Sequence, residues 1–156
     1  MTSDEFARMI LAMEPTLYRV CRMQLSCAAD REDAVQETLR RAWEKRDRLR
    51  DVRFMQTWTV RILLNVCRDM QRRRRRETPT DELPDRAAEP EDRALIDALR
   101  ALDDKLRLPI VLHYIEGYSV EETAAMLRWP QGTVKSRMNR GRQRLRELLT
   151  EEVFDE

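Results

Sequence analysis

The chain has 156 residues, enough for one ordinary domain or for two small ones. Charged residues make up 38% of the chain and only 3 residues are glycine, which favours an all-α fold over a turn-rich β fold. No apolar run approaches the roughly 20 residues of a membrane span, and the three cysteines include no CxxC pair. We therefore expect a cytoplasmic protein with no membrane insertion.

The net charge of +1 hides a segregation of charge along the chain. Residues 61–76 contain seven arginines and one acid, and residues 128–146 contain seven basic residues and no acid. Between these blocks, residues 77–105 contain ten acids and four bases. Two basic segments separated by an acidic one favour contacts with nucleic acid, which the average charge alone would not indicate.

The N-terminal part of the chain has the apolar spacing of helices. Residues 3–25 predict an amphipathic helix, or a pair of helices around Pro15. Asp30 is expected to cap a second helix, whose apolar face runs from Ala34 to Trp43.

A third helix is predicted to carry two stripes side by side. The apolar stripe consists of Met55, Trp58, Ile62, Val66 and Met70. The polar stripe consists of Arg61, Asn65, Arg68 and Arg72. The helix leads into five consecutive arginines, residues 72–76, which we expect to fray into a solvated or polyanion-bound segment.

Residues 77–92 have the composition of a flexible acidic linker, with three prolines and one large aliphatic residue, Leu83. We therefore predict two small helical domains, residues 1–76 and 93–156, joined by this linker.

The second predicted domain contains a helix-turn-helix. Its first helix has a stripe of Leu95, Leu99, Leu102 and Leu106, and a short apolar segment, residues 109–115, follows. Ser119 and Glu122 form a capping box for a helix through Leu127. After a brief turn, Pro130 is expected to open a long final helix, in which Gly141 allows another element to approach closely.

A second helix of this kind reads bases in the major groove of DNA. With Val134 facing inward, several polar side chains face outward or lie on the flanks of the final helix, where they suit bases and phosphates. These candidates are Thr133, Lys135, Ser136, Arg137, Asn139, Arg140, Gln143 and Arg144. A merely solvated basic face remains the alternative, although solvated helices ordinarily mix both charges.

Several motifs resemble one known family. Residues 30–38 resemble the D-A-x-D-L-V-Q-E signature of sigma factor region 2, with matches at Asp33, Val35, Gln36 and Glu37. Residues 58–65 resemble its W-L-x-R-I…N helix. Residues 117–124 resemble G-x-S-x-x-E-I-A, and residues 132–142 resemble G-T-V-K-S-R-x-x-R-A-R, both from region 4.

The resemblance is to extracytoplasmic-function sigma factors, which keep only regions 2 and 4 of the sigma-70 family. It implies a transcription-initiation factor that binds core RNA polymerase and promoter DNA without catalysis, cofactor or metal. Region 2 would dock on the clamp coiled coil of the β′ subunit. Region 4 would rest on the β flap and read the minus-35 element. The polymerase-binding residues implied are Asp33, Gln36, Glu37 and Arg40.

The same resemblance implies that residues 51–76 recognise and open the minus-10 element. Opening DNA requires a positive groove for the separated strand and a surface for an unstacked base. The candidates are Phe54, Trp58, Arg61, Asn65, Arg68 and Arg72. The place of Trp58 in the apolar stripe favours a core residue, which leaves Phe54 as the better candidate for a flipped base.

The chain departs from the family motifs at positions where we expect packing: Arg31, Ala34, Thr59, Thr123 and Gly141. The acidic linker is either an inert spacer or a segment that occupies the RNA-exit path of the polymerase. We also expect an anti-sigma partner and a stress or envelope-response regulon.

Two other functions are weighed against this one. An enzyme is disfavoured because His113 is the only histidine and no phosphate loop or nucleophile motif is present. A stand-alone helix-turn-helix regulator would explain residues 94–149 and leave the N-terminal motifs unused.

Overall fold

The computed structural model describes residues 1–77 and 90–154, and the side chains of residues 1–77 and 93–150. The chain divides into two compact units, with the division between Pro84 and Asp85. The described residues contain helices and turns and no β-strand, which confirms the predicted all-α fold class. No helix in these ranges is both long enough and apolar enough to cross a membrane. Most of the predicted linker, residues 78–89, lies outside the described residues.

The first unit contains four helices: α1 Ser3–Ala12, α2 Glu14–Gln24, α3 Ala28–Glu44 and α4 Met55–Arg76. Short 3₁₀ turns, Arg46–Arg48 and Val52–Phe54, connect α3 to α4. Of the two alternatives for residues 3–25, the structure has the pair of helices, since Met13 ends α1 and Pro15 lies in the first turn of α2. Proline is tolerated there because the first turn needs no backbone donor.

The core of this unit forms where α2 and α3 pack on α4. Leu17, Val20, Val35 and Leu63 are completely buried. The sulfur atoms of Cys21 and Cys67 lie 3.8 Å apart in the same core.

The buried face of α4 is displaced from the predicted stripe. Trp58, Ile62 and Met70 are only partly buried, whereas Leu63 and Cys67 are fully buried. The stripe was misplaced because α4 packs against both α2 and α3 and so buries a face that a single 3.6-residue stripe does not describe.

Two further predictions for this unit need correction. Trp43 lies at the edge of the core: its ring is 6.2 Å from that of Phe6, but the residue is 40% exposed and packs 4.1 Å from the Arg46 guanidinium. Asp30 is not the cap of α3, which begins at Ala28 after Cys27 and has no side-chain cap. Asp30 lies in the first turn instead, where a carboxylate is favourable to the helix dipole.

The second unit contains α5 Pro90–Ala101, α6 Asp104–Ile110, a π-helical turn Val111–Ile115, α7 Val120–Leu127 and α8 Gln131–Phe154. The capping box of Ser119 and Glu122 is confirmed, as is the end of α7 at Leu127. Arg128 makes the turn in a left-handed conformation, with φ of 61°. The final helix begins at Gln131, one residue after the predicted start, and the carbonyl of Pro130 accepts from the amides of Thr133 and Val134.

The predicted leucine stripe of α5 is partly wrong. Leu99 and Leu102 are buried, but Leu95 is 39% exposed and Ile96 is buried beside it. The predicted apolar segment 109–115 is helical, because it forms the end of α6 and the π-helical turn. The amide of Glu116 donates to the carbonyl of Val111 across five residues, at 3.0 Å.

The five departures from the family motifs are buried, as predicted. Ala34, Thr59 and Thr123 have small side chains and show none of their surface to solvent. The Thr59 hydroxyl donates to the carbonyl of Met55 at 2.7 Å. Arg31 donates to the carbonyl of Leu25, the residue that ends α2.

Gly141 lies where α6 and α8 approach each other. A Cβ atom at this position would lie 2.5 Å from Cδ1 of Ile110 and 3.0 Å from the carbonyl oxygen of Leu106. The predicted close approach of another element is therefore confirmed.

We predict that Gly141→Ala lowers the free energy of unfolding of the second unit by about 1 kcal/mol, because overpacking outweighs the gain in helix propensity. Hydrogen exchange of the α8 amides measures this unit by itself. Ile110→Val removes the Cδ1 atom, so Gly141→Ala should cost less in that background. Additive penalties in the double variant would contradict the proposed contact.

Candidate nucleic-acid and protein interfaces

Residues Asp33, Gln36, Glu37 and Arg40 lie on one side of α3, as their spacing of three and four residues requires. Asp33, Gln36 and Arg40 are exposed, and Glu37 is half-buried. All four line a groove of about 1150 Å³ between α3 and α4. The other residues that line it are Asp30, Arg41, Val66, Asp69, Met70, Arg73, Arg74 and Glu77.

A network of ion pairs fixes the charged side chains on this face of α3. The Glu37 carboxylate accepts from Nη2 of Arg40 at 2.6 Å and from Nε of Arg41 at 2.8 Å. Arg40 also pairs with Glu44, at 2.5 Å. Hydrogen bonds from Arg40 and then Arg41 lower the pKa of Glu37 to about 2. Glu37 is therefore charged throughout the physiological range.

The five arginines 72–76 do not fray, so that prediction is wrong: α4 continues through Arg76. Cations are favourable at the C-terminus of a helix because of the helix dipole. In addition, Nε of Arg74 lies 2.6 Å from the Asp30 carboxylate, which ties the end of α4 to the start of α3. The arginine side chains remain exposed, as predicted.

We predict that Glu37→Gln reduces the acid sensitivity of the first unit. Because the pKa of Glu37 is lowered on folding, its contribution is complete above about pH 4.5 and is lost as pH falls toward 2. The contribution of Glu37 to the free energy of unfolding should be below about 1 kcal/mol, because its ion pairs with Arg40 and Arg41 are partly exposed. Thermal unfolding as a function of pH measures it.

Glu121→Gln is the matched control, because this carboxylate lies on α7, in the other unit. This substitution should leave the stability of the first unit at low pH unchanged. If the unfolding temperatures of the parent and of Glu37→Gln fall equally as the pH is lowered, the role of the ion-pair network is contradicted.

The polar stripe of α4 faces solvent along most of its length. Asn65, Arg68 and Arg72 are exposed, and Arg61 is half-buried. The stripe therefore leaves a positively charged helix surface beside the apolar core, as the sequence predicts.

Phe54 is the most accessible aromatic residue near this stripe. It lies in the 3₁₀ turn before α4 and is 59% exposed, and Asp51 caps the turn through the Arg53 amide. Trp58, by contrast, is half-buried and meets the ring of Phe6 edge-on, with centroids 6.0 Å apart. Trp58 therefore has a packing role, and a contact of its ring with DNA stays a prediction.

The predicted outward face of α8 is largely accessible. Lys135, Ser136, Asn139, Arg140, Gln143 and Arg144 are exposed, and Thr133 and Arg137 are half-buried. Val134 and Met138 are buried on the opposite face, as predicted. The guanidinium of Arg137 packs on the ring of Trp129 at 4.3 Å, a contact that the sequence analysis missed.

The eight candidate residues of α8 do not all share one open surface. Arg140, Gln143 and Arg144 border a cleft of about 500 Å³ whose other side is the α5–α6 junction, including Ala101 and Asp103. Arg144 also pairs with Glu147, at 3.1 Å. Residues 131–139, the start of α8, do not line this cleft, and the N-terminal residues of a recognition helix are the ones that contact base edges.

The sequence analysis also missed Tyr114. It lies in the π-helical turn, is 49% exposed, and its hydroxyl accepts a hydrogen bond from Nη1 of Arg142 at 2.5 Å. Periodicity could not separate an exposed aromatic from the apolar segment 109–115 around it. His113 is half-buried, with Nδ1 2.7 Å from the carbonyl oxygen of Tyr118.

Comparison with known families divides the chain in the same order as its helical units. Residues 9–77 match the family described as Sigma-70 region 2. Residues 92–145 match the family described as Sigma-70, region 4.

Curated relatives match over most of the chain. The RNA polymerase sigma-E factor of Streptomyces coelicolor is 34% identical over 97% of this chain and 89% of its own length. The ECF RNA polymerase sigma factor SigM of Mycobacterium tuberculosis is 34% identical over 85% of this chain and 71% of its own length.

Solved structures with a similar fold include two protein complexes. RpoE of Bartonella quintana, solved with the anti-sigma factor NepR, is 30% identical with a TM-score of 0.79, covering 94% of this chain and 97% of RpoE. CnrH, solved with the cytosolic domain of CnrY, is 30% identical with a TM-score of 0.76, covering 96% of this chain and 90% of CnrH.

Proposed function

The chain belongs to the sigma-70 family as an extracytoplasmic-function sigma factor, and we propose that it binds core RNA polymerase and directs transcription initiation at specific promoters. Sigma factors are not enzymes, so the function lies in binding surfaces. The observation that carries the proposal is the pairing of two such surfaces in one chain. One is the charged α3–α4 groove of the first unit, and the other is the exposed face of α8 over residues 131–146, which contain no acid.

The α3–α4 groove is the proposed polymerase-binding site. Asp33, Gln36, Glu37 and Arg40 provide both charges and an amide on one accessible helix face. The ion pairs of Glu37 with Arg40 and Arg41 hold these side chains in place before a partner arrives. Such a pattern suits the clamp coiled coil of the β′ subunit, because charge complementarity sets specificity at protein interfaces.

The surface from Phe54 to Arg72 is the proposed minus-10 site. Asn65, Arg68 and Arg72 offer charge and hydrogen bonds for a separated strand, and Arg61 lies on the same stripe. The exposed ring of Phe54 provides a surface on which an unstacked base can stack. Trp58 supports this surface from below by packing against Phe6.

The outward face of α8 is the proposed minus-35 site, with Thr133, Lys135, Ser136, Arg137, Asn139, Arg140, Gln143 and Arg144 as its residues. The helix-turn-helix of α7 and α8 presents this face to the major groove. In the same unit, the exposed Ile115 offers apolar surface that suits a contact with the β flap.

The decisive experiment mixes the purified chain with sigma-free core RNA polymerase and promoter fragments. Transcripts that start at defined positions only when the chain is present would support the proposal. A stand-alone regulator would shift duplex DNA without core enzyme and would start no transcript. A chain that neither binds core enzyme nor changes start sites is not acting as a sigma factor.

We also propose an anti-sigma partner and a stress or envelope-response regulon. RpoE and CnrH are each solved with a protein partner, and NepR is described as an anti-sigma factor. A pull-down of the chain from its native cells should recover a stoichiometric small protein that blocks transcription in the reconstituted assay. Recovery of core polymerase alone would argue against a dedicated inhibitor.

Asp33→Ala should weaken binding to core polymerase about tenfold, because it removes an exposed charge from the lining of the groove. Fluorescence titration with core enzyme measures the affinity. Asp47→Ala is the matched control, since Asp47 is an exposed acid in a 3₁₀ turn away from the groove lining. Equal losses in both variants would indicate a general effect of charge.

Arg140→Ala should weaken recognition of the minus-35 element by about 1 to 3 kcal/mol if Arg140 makes a bidentate contact with guanine. Competition between promoters that differ in single base pairs measures this preference. The loss should concentrate at one base pair. Uniform weakening across all sequences would instead make Arg140 a phosphate contact.

A further inference from the structure

Hydrogen bonds link three side chains, from the π-helical turn to the outward face of α8. Nη1 of Arg142 donates to the Tyr114 hydroxyl at 2.5 Å, and Nη2 of the same guanidinium donates to Oδ1 of Asn139. The guanidinium also lies 5.5 Å from the centre of the Tyr114 ring. Tyr114 thereby contacts Arg142 through both its hydroxyl and its π face, although 28 residues separate them in sequence.

The hydrogen bond from Arg142 determines the orientation of the Asn139 amide. A guanidinium has only donors, so the amide atom that faces Arg142 must be the carbonyl oxygen. The amide NH₂ group must then lie on the other side. Both amide protons and one lone pair of Oδ1 stay available for a partner outside the protein. Without Arg142, the amide could rotate by half a turn and exchange its donor and acceptor sides.

The orientation matters because bases are read by the arrangement of donors and acceptors. An asparagine reads adenine by accepting from N6 and donating to N7, which requires the oxygen and the NH₂ group on fixed sides. A rotated amide presents the reverse arrangement. Holding the amide therefore converts a polar contact that tolerates several bases into a selective one.

We propose that Tyr114, acting through Arg142, is a positioning residue. It makes Asn139 selective for adenine at one position of the minus-35 element. The inference rests on the proposed function, since it requires α8 to read DNA. It adds a residue outside the helix-turn-helix to the determinants of sequence preference. Tyr114 itself needs no contact with DNA.

The position of Tyr114 in a π-helical turn fits this role. The hydrogen bond from the Glu116 amide to the Val111 carbonyl spans five residues instead of the four of an α-helix. Tyr114 lies within this wider turn. Turns of this kind occur frequently at functional sites. The neighbouring His113 ring meets Tyr114 edge-on, with centroids 4.8 Å apart, and limits the movement of its ring.

The test uses the full chain with core RNA polymerase and a library of promoter DNA that is randomised over the minus-35 element. Selection followed by sequencing gives the base preference of the parent and of Tyr114→Phe, which keeps the ring and removes only the hydroxyl. We expect the enrichment of adenine at one position to fall roughly tenfold, with the other positions unchanged. Arg142→Lys keeps the positive charge but cannot bridge both groups, so it should give the same profile.

Tyr18→Phe is the matched control, because it makes the same chemical change in the first unit. Its profile should equal that of the parent. In an Asn139→Ala background, where no amide remains to be positioned, Tyr114→Phe should change nothing further. Circular dichroism melting confirms that the variants compared are folded.

The remaining outcomes separate this inference from the proposed function. A parent that selects a defined sequence while Tyr114→Phe keeps its full profile would overturn the role of Tyr114 alone. Uniform loss of affinity at all positions would overturn it as well, because Tyr114 would then only hold Arg142 for a phosphate. A parent with no sequence preference in the presence of core enzyme would overturn both.

Discussion

The close approach of α6 to α8 at Gly141 is the contact on which the second unit depends. With no Cβ at this position, the Ile110 side chain and the Leu106 carbonyl lie directly against the backbone of α8. The residues that follow Ile110 form the π-helical turn, so the same contact sets the distance between that turn and α8. The hydrogen bond from Arg142 to Tyr114 joins that turn to α8.

The first unit shows the same relation between packing and surface. Small residues such as Ala34 and Thr59 are buried between helices, and the charged residues of α3 and α4 are left at the rim of the groove. The ion pair of Asp30 with Arg74 joins the start of α3 to the end of α4 and gives one arginine of the basic run a partner. Charge that cannot enter the core thus lines the groove that we propose as the polymerase-binding site.

The features predicted correctly were those that short stretches of sequence determine. The capping box at Ser119 and the break at Pro15 depend on a few neighbouring residues. Asp30 was misassigned because a local capping signal competes with a partner 44 positions away, Arg74. Tyr114 was missed because its role requires a π-helical turn and a second helix. The roles of the candidate site residues depend on polymerase and DNA, which one chain does not contain.

The ion pairs around Glu37 have a consequence for the entropy of association. A free arginine loses rotamer freedom when it is immobilised at an interface, which costs about 0.5–1.5 kcal/mol for each such side chain. Arg40 already donates to both Glu37 and Glu44 before any partner is present. Part of that loss is therefore incurred during folding, and a partner with a matching charge pattern meets a surface that is already ordered.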